Sequence, residues 1–308
     1  MSRTDGAVGV IGLGAMGGPI ARRLATAGWE VHGCDMDAAR REALSAAGGS
    51  VVERPAELPE RCATFLVVLP NPAITRAALF GEGGLAEGSA PLAAGDVVVN
   101  LGTIGPDAVL ELASALSERG AELLDVPMGK SSQAAEEGTL SLMASGSEEA
   151  IDALRPLFER FATDITFCGE LGVASTVKLV NNLVSAGILE AVAEGLPLGA
   201  KAGAPLELMV DVLSRSGADC WHLRNTFGER VARRQFAAGF SVDLATKDLK
   251  LGLDVAHGKR MPMPVLAGAY ERFLEAQAAG LGAEDWATLA KLSERHAGVE
   301  LAGARASS

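Results

Sequence analysis

The rhythm of apolar and polar positions changes once along this chain, near residue 172. Before that point short apolar runs alternate with helical periodicity. Residues 7–13 (AVGVIGL), 30–34, 65–69 (FLVVL), 96–101 (DVVVNL), 121–125 and 140–145 read as buried strands. A helical pattern fills 19–27 and stops at Gly28, a natural C-terminal cap. Strands separated by helices imply an open, doubly wound parallel sheet with right-handed crossovers. After 172 no strand pattern recurs. Helical patterns cover 172–202, 206–214, 223–233, 244–258, 264–279 and 285–294. Pro197 is expected to bend or split the first of these, while Pro205 and Pro262 sit near helix starts. The expected class is α/β: a sheet domain over 1–171 and an all-helical domain over 172–308, joined by a long helix. A tail at 302–308 reads as frayed.

That long helix carries a conflict. Residues 169–194 (GELGVASTVKLVNNLVSAGILEAVAE) are apolar on nearly every side, which normally means burial. Yet Lys178, Asn181, Asn182 and Ser185 fall at i, i+3, i+4 and i+7 and share one stripe. Polar groups in such surroundings are costly unless something pairs with them.

The first strand supplies a partner chemistry. Gly12-Leu13-Gly14-Ala15-Met16-Gly17 is G-x-G-x-x-G between a strand and a helix, and a second strand ends in Asp35 about 20 residues on. Gly12 permits the tight turn, Gly14 lets a pyrophosphate approach the backbone, and Gly17 lets helix and strand pack closely. The helix N-terminus offers free N–H groups to phosphates. Asp35 can accept from both ribose hydroxyls and repel a 2′-phosphate. Met36 and Asp37 follow it, with no arginine directly after, which favours NAD(H) over NADP(H). The arrangement marks the first domain as Rossmann-type. Ligands sit beyond the carboxyl ends of such strands, so Leu69, Pro70, Gly102 and Thr103 are further cofactor candidates by position.

Composition narrows the class. A net charge of -12 leaves no basic footprint for nucleic acid, and 48% hydrophobic content over 308 residues supports two cores. Cys34, Cys62, Cys168 and Cys220 are scattered, so buried reduced thiols are expected and no metal site. No uninterrupted apolar run approaches the roughly 20 residues that span a bilayer, and the N-terminus makes a poor signal peptide. A soluble cytoplasmic protein without membrane partners is expected.

Four motifs in order, GLGAMGGP (12–19), DVPMGKSSQAAEEGTLSLMASG (125–146), GELGVASTVKLVNN (169–182) and KDLKLGLD (247–254), resemble the β-hydroxyacid dehydrogenase family over nearly the whole chain. The resemblance implies that Lys178 is the catalytic lysine, giving a proton to a carbonyl oxygen during reduction and taking it back during oxidation. Burial would have to bring its pKa toward the working pH. It further implies that Asn182 orients the substrate oxygen or the lysine, with Asn181 and Ser185 as substrate or supporting groups. Lys247 would lie near the cofactor and close a cleft between the domains; as an alternative it is a surface charge paired with Asp248 or Asp254. Residue 174 is Ala where the family usually has Gly.

The substrate loop departs from the family's D-x-P-V-S-G-G. Gly129 stands where Ser is usual, and Lys130 and Ser131 where Gly is usual. A cation beside Ser131 and Ser132 suggests a strongly anionic substrate group and looks like the sulfolactaldehyde reductase branch; a merely solvated loop charge is the alternative. The resemblance thus implies an NAD-dependent reductase of a small sulfonated or carboxylated aldehyde, best 3-sulfolactaldehyde. Succinic semialdehyde/4-hydroxybutyrate and 3-hydroxyisobutyrate chemistry are rivals. Imine reduction is disfavoured by Lys178, and a dinucleotide sensor without turnover is the non-enzymatic rival. The apolar helix and Ala/Gly-rich packing suggest a homodimer or homotetramer.

Overall fold

The computed structural model describes residues 6–302. The tail expected at 302–308 lies outside them but for residue 302. Nine strands form one sheet: β1 Val8–Ile11, β2 Val31–Cys34, β3 Ser50–Val51, β4 Thr64–Val67, β5 Val97–Asn100, β6 Glu122–Asp125, β7 Met128–Gly129, β8 Leu140–Ser145 and β9 Ala162–Gly169. The order is β3-β2-β1-β4-β5-β6-β8-β7, with β9 also paired to β8. β1 through β6 run parallel, with Val8 opposite both Val31 and Thr64. Beyond β6 the sheet departs from the expected all-parallel form. β8 is antiparallel to β6 and β7, and β9 returns parallel to β8.

Helices α1 Gly17–Thr26, α2 Ala38–Ala46, α3 Pro72–Phe80, α4 Pro106–Ser117, α5 Ser132–Glu137 and α6 Glu148–Phe158 cover the sheet. Strand alternation explains its two cores. Val8, Val10, Leu66 and Val99 pack on one face, and Ile11, Phe65, Val67 and Val98 on the other. The remaining helices are α7 Val173–Lys201, α8 Leu206–Leu213, a π-helix at His222–Val231, α9 Val242–Gly258, α10 Pro264–Ala278 and α11 Leu289–Ala297. Their core is built from Leu183, Leu189, Phe227, Leu249 and Phe273.

Two compact units emerge, one ending at Leu179 and the other starting at Val180. This division falls inside α7 for a physical reason. The first turn of α7 is tied to the sheet. The backbone N–H of Ser175 donates to Asp125 Oδ2 at 2.9 Å and its hydroxyl to Oδ1 at 2.9 Å. Asn100 Nδ2 donates to the same Oδ1 at 3.1 Å, and the N–H of Ala174 donates to Ser145 Oγ at 3.2 Å. Side chains at the ends of β6 and β8 thus satisfy N–H groups that a helix start leaves without partners, and Asn100 at the end of β5 braces Asp125. Burial pushes the Asp125 carboxyl up, and the hydrogen bonds from Ser175, Asn100 and Ser145 oppose that shift.

Two expectations for α7 change. It runs unbroken through Pro197. It is also not buried all round: Val173, Val177, Val180, Val184 and Ile188 form an exposed apolar stripe, with Val180 54% accessible. By length and composition α7 could cross a membrane, but Leu183, Ala186, Leu189 and Ala193 pack into the helical core. Cys34 and Cys62 are buried; Cys168 and Cys220 are half-exposed, and all four are free thiols.

The clamp at the start of α7 predicts that Asp125→Ala lowers stability by about 3 kcal/mol in urea unfolding, because several bonds to a buried charged acceptor vanish together. A second prediction concerns Glu190 on the inner face of α7. Burial pushes its carboxyl from 4.5 up to about 7, against the opposing pull of Arg272 Nε at 2.6 Å. The folded state then binds a proton that an unfolded chain has already lost. This group's contribution to stability therefore falls as pH rises from about 4.5 to about 7. The stability difference between wild type and Glu190→Gln should decline across that window; a rising difference contradicts the assignment.

Candidate active site

The glycine turn joins β1 to α1, and its first and last positions admit only glycine. Gly12 has φ +96°, and a Cβ there would lie 2.4 Å from the Val68 carbonyl oxygen. A Cβ on Gly17 would lie 1.9 Å from the Gly12 oxygen, so the first turn of α1 packs against the loop only as glycine. Asp35, at the end of β2, faces this turn. Its Oδ2 accepts the Leu13 N–H at 2.7 Å and its Oδ1 the Asp37 N–H at 2.8 Å. Each carboxylate oxygen can accept a further bond, so the ribose hydroxyls retain acceptors. Leu69 and Pro70 follow β4 and Thr103 follows β5. These residues, with 12–17 and Asp35, all lie at the carboxyl ends of parallel strands.

Sequence reasoning missed Arg40. The turn into α2 brings its guanidinium to 3.6 Å from Asp35 Oδ2 and 3.4 Å from Asp37 Oδ2. Negative charge at Asp35 is therefore not unopposed, although no arginine directly follows it in sequence.

Lys130 and Ser131 connect β7 to α5. Lys130 takes φ +72°, a left-handed conformation that costs a non-glycine residue about 1 kcal/mol. Its ammonium donates to the Thr139 carbonyl oxygen at 2.5 Å. Ser131 caps α5 by accepting the Ala134 N–H at 3.5 Å, and Ser132 opens the helix. Glycine at 129 has a local cause. It pairs with Ser141 across β7 and β8, and a Cβ on Gly129 would meet Ser141 Oγ at 2.2 Å.

On α7, Lys178 lies one turn after the Ser175 clamp and is half-buried. Asn182, one further turn on, is buried. Its Nδ2 donates to Asp248 Oδ2 at 2.6 Å, and its Oδ1 accepts from Asn181 Nδ2 at 3.0 Å. Lys247 forms an ion pair with the other Asp248 oxygen at 2.6 Å. The structure thus joins Asn181, Asn182, Asp248 and Lys247 in one connected chain. The pairing of Lys247 with Asp248 is one the sequence offers as an alternative; the bond from Asn182 to Asp248 is not. Ser185 hydrogen-bonds His222 Nε2 at 2.8 Å. Burial pushes the His222 imidazole down to about 4, with Asp285 pulling the other way, so it is neutral at pH 7. A separate cavity of about 600 Å³, near Asp96, Ser117, Glu122 and Glu170, contains none of these groups.

Residues 7–169 match the family described as the NAD binding domain of 6-phosphogluconate dehydrogenase. Residues 172–293 match NAD-binding of NADP-dependent 3-hydroxyisobutyrate dehydrogenase. L-threonate dehydrogenase of Cupriavidus necator is 33% identical, with 96% of this chain and 98% of that protein covered. 3-Sulfolactaldehyde reductase of Escherichia coli is 31% identical, covering 95% and 97%. The crystal structure of 3-hydroxyisobutyrate dehydrogenase from Salmonella typhimurium superposes with a TM-score of 0.81 at 31% identity, covering 94% of this chain and 100% of that one. The chain belongs to the 3-hydroxyisobutyrate dehydrogenase-like β-hydroxyacid dehydrogenase family, oxidoreductases acting on CH–OH groups with NAD(P).

Proposed function

We propose that this chain interconverts a short anionic aldehyde and its hydroxy acid, with 3-sulfolactaldehyde as the preferred substrate and Lys178 as the proton-transfer group. The observation that carries the reading is the stripe on α7. Lys178 follows a rigid clamp, and the Asn182 amide is fixed from both ends by Asp248 and Asn181. The bound dinucleotide supplies or accepts a hydride at the substrate carbon. Lys178 supplies the matching proton to the carbonyl oxygen in reduction and removes it in oxidation. Asn182 orients that oxygen. Residues Gly12 to Gly17, Asp35, Leu69, Pro70 and Thr103 hold the cofactor, Asp35 favouring NAD(H), and Lys247 is carried over as a further cofactor contact.

The sulfonate assignment draws on Lys130 and Ser131. The Lys130 ammonium has three N–H donors, of which one goes to Thr139. The Ser131 oxygen accepts from Ala134, which leaves its own proton to donate to an anion. A hydroxycarboxylate is the second reading, favoured by the likeness to an L-threonate dehydrogenase. A cytoplasmic homodimer or homotetramer completes the proposal. The exposed stripe through Val177, Val180, Val184 and Ile188 supports self-association.

Lys178→Ala should lower turnover by about 10³-fold while leaving NADH binding, followed by fluorescence titration, near wild type. Full activity in that variant rejects the proton-transfer role. Initial rates with sulfonated, carboxylated and phosphorylated aldehydes test substrate class. The sulfonate should be preferred, and Lys130→Ala should lower its kcat/KM about 10-fold or more. Equal rates for all three anions would remove the role given to Lys130. Asp35→Ala should weaken NADH binding about tenfold and narrow the preference over NADPH.

A further inference from the structure

The reading above leaves Ser185 and His222 without a stated task, and the structure supplies one. His222 begins the π-helix His222–Val231 and is 4% exposed. The Trp221 and Trp286 rings stand nearly perpendicular to its imidazole, with centroids 5.3 and 5.0 Å away. Aromatic walls on this scale prevent the ring from turning freely. Both ring nitrogens are engaged: Nε2 meets Ser185 Oγ at 2.8 Å and Nδ1 meets Thr226 Oγ1 at 2.9 Å.

Direction follows from counting donors. A neutral imidazole has one N–H and one lone pair. Thr226 is 1% exposed, and Nδ1 is the one side-chain hydrogen-bond partner of its hydroxyl among the described residues. A buried hydroxyl proton without an acceptor is costly. The Thr226 O–H therefore donates to Nδ1, the imidazole proton sits on Nε2, and Nε2–H donates to the Ser185 oxygen. That oxygen is filled from behind, so the Ser185 proton points to an acceptor outside the relay. Ser185 is half-buried and lies on the same stripe as Lys178, Asn181 and Asn182.

We infer that His222 and Thr226 are positioning residues that hold Ser185 as a one-way hydrogen-bond donor to an oxygen of the anionic substrate. This rests on the assignment of the α7 stripe to the substrate, and it adds two residues that never touch the substrate. It also explains the use of a neutral histidine there. An imidazolium would donate at both nitrogens and would break the bond from Thr226.

Thr226→Val is nearly isosteric and removes only the hydroxyl. With the aldehyde that the rate panel finds best, it should raise KM about tenfold and change kcat less than threefold, with NADH affinity unchanged. Thr226→Ser should restore KM. The double variant Ser185→Ala/Thr226→Val should be no worse than Ser185→Ala alone, since both act through one proton. Additive losses, or an unchanged KM in Thr226→Val, overturn the relay. A second readout needs no substrate: nitrogen NMR of histidine-labelled protein should show His222 protonated at Nε2 and bare at Nδ1. The opposite tautomer, or an imidazolium at pH 7, rejects the inference. Because the Lys178→Ala test is separate, an inactive Lys178 variant beside a normal Thr226→Val variant would discard the relay alone.

Discussion

One buried carboxylate sets the geometry that the chemistry uses. Asp125 closes β6 and accepts both the backbone and the hydroxyl proton of Ser175, with Asn100 as a third donor. Negative charge at the first turn of a 29-residue helix also suits the helix dipole. A helix has 3.6 residues per turn, so fixing Ser175 sets the direction of the side chains in the turn that follows it. Lys178 is one turn away and inherits its direction from this clamp. The capping groups end β6 and β8, in the same sheet whose strands β1, β2, β4 and β5 lead into the glycine turn, Asp35, Leu69 and Thr103. The sheet therefore places the glycine turn and Lys178 from one rigid reference.

Downstream, α7 divides its surface into three stripes with different tasks. Leu183, Ala186, Leu189 and Ala193 anchor the helical unit. Val173 through Ile188 leave an apolar face exposed. Between them run Lys178, Asn181, Asn182 and Ser185. Each of the last three is held by a named partner, so the cost of polar groups on a largely apolar helix is met by hydrogen bonds. Asn181 is held by its neighbour Asn182, while the partners of Asn182 and Ser185 come from α9 and the π-helix, far along the sequence. Hydrogen bonds of this kind hold the Asn182 and Ser185 side chains in one orientation.

What the sequence disclosed and what it hid follow from the range of the interactions. Gly12, Gly17 and Asp35 were legible because the turn, the helix start and the acid are local and each has a steric or electrostatic reason. Lys178 was legible through its motif and helical spacing. The antiparallel return at β8 and the strand β9 were not, because Ala162–Gly169 is mostly exposed and lacks a clean apolar alternation. The burial of α7 was overread, since an exposed apolar face and a buried one look alike in a single chain. Asp125–Ser175 spans 50 residues and Asn182–Asp248 spans 66, so neither contact leaves a local trace. Arg40 does not directly follow Asp35 in sequence; the start of α2 folds back and brings it to the carboxylate. The left-handed backbone at Lys130 was hidden too. There the family's usual glycine marks a φ that this chain adopts with a lysine.

The central claim is that Lys178 moves the proton at the substrate oxygen. The most direct measurement is a crystal structure of the protein with NAD⁺ and a non-reacting sulfonated hydroxy analogue. The account predicts Lys178 Nζ within hydrogen-bond distance of the analogue's hydroxyl oxygen, with Asn182 contacting the same oxygen. An analogue whose hydroxyl is held by other groups, with Lys178 turned away from it, would contradict the account.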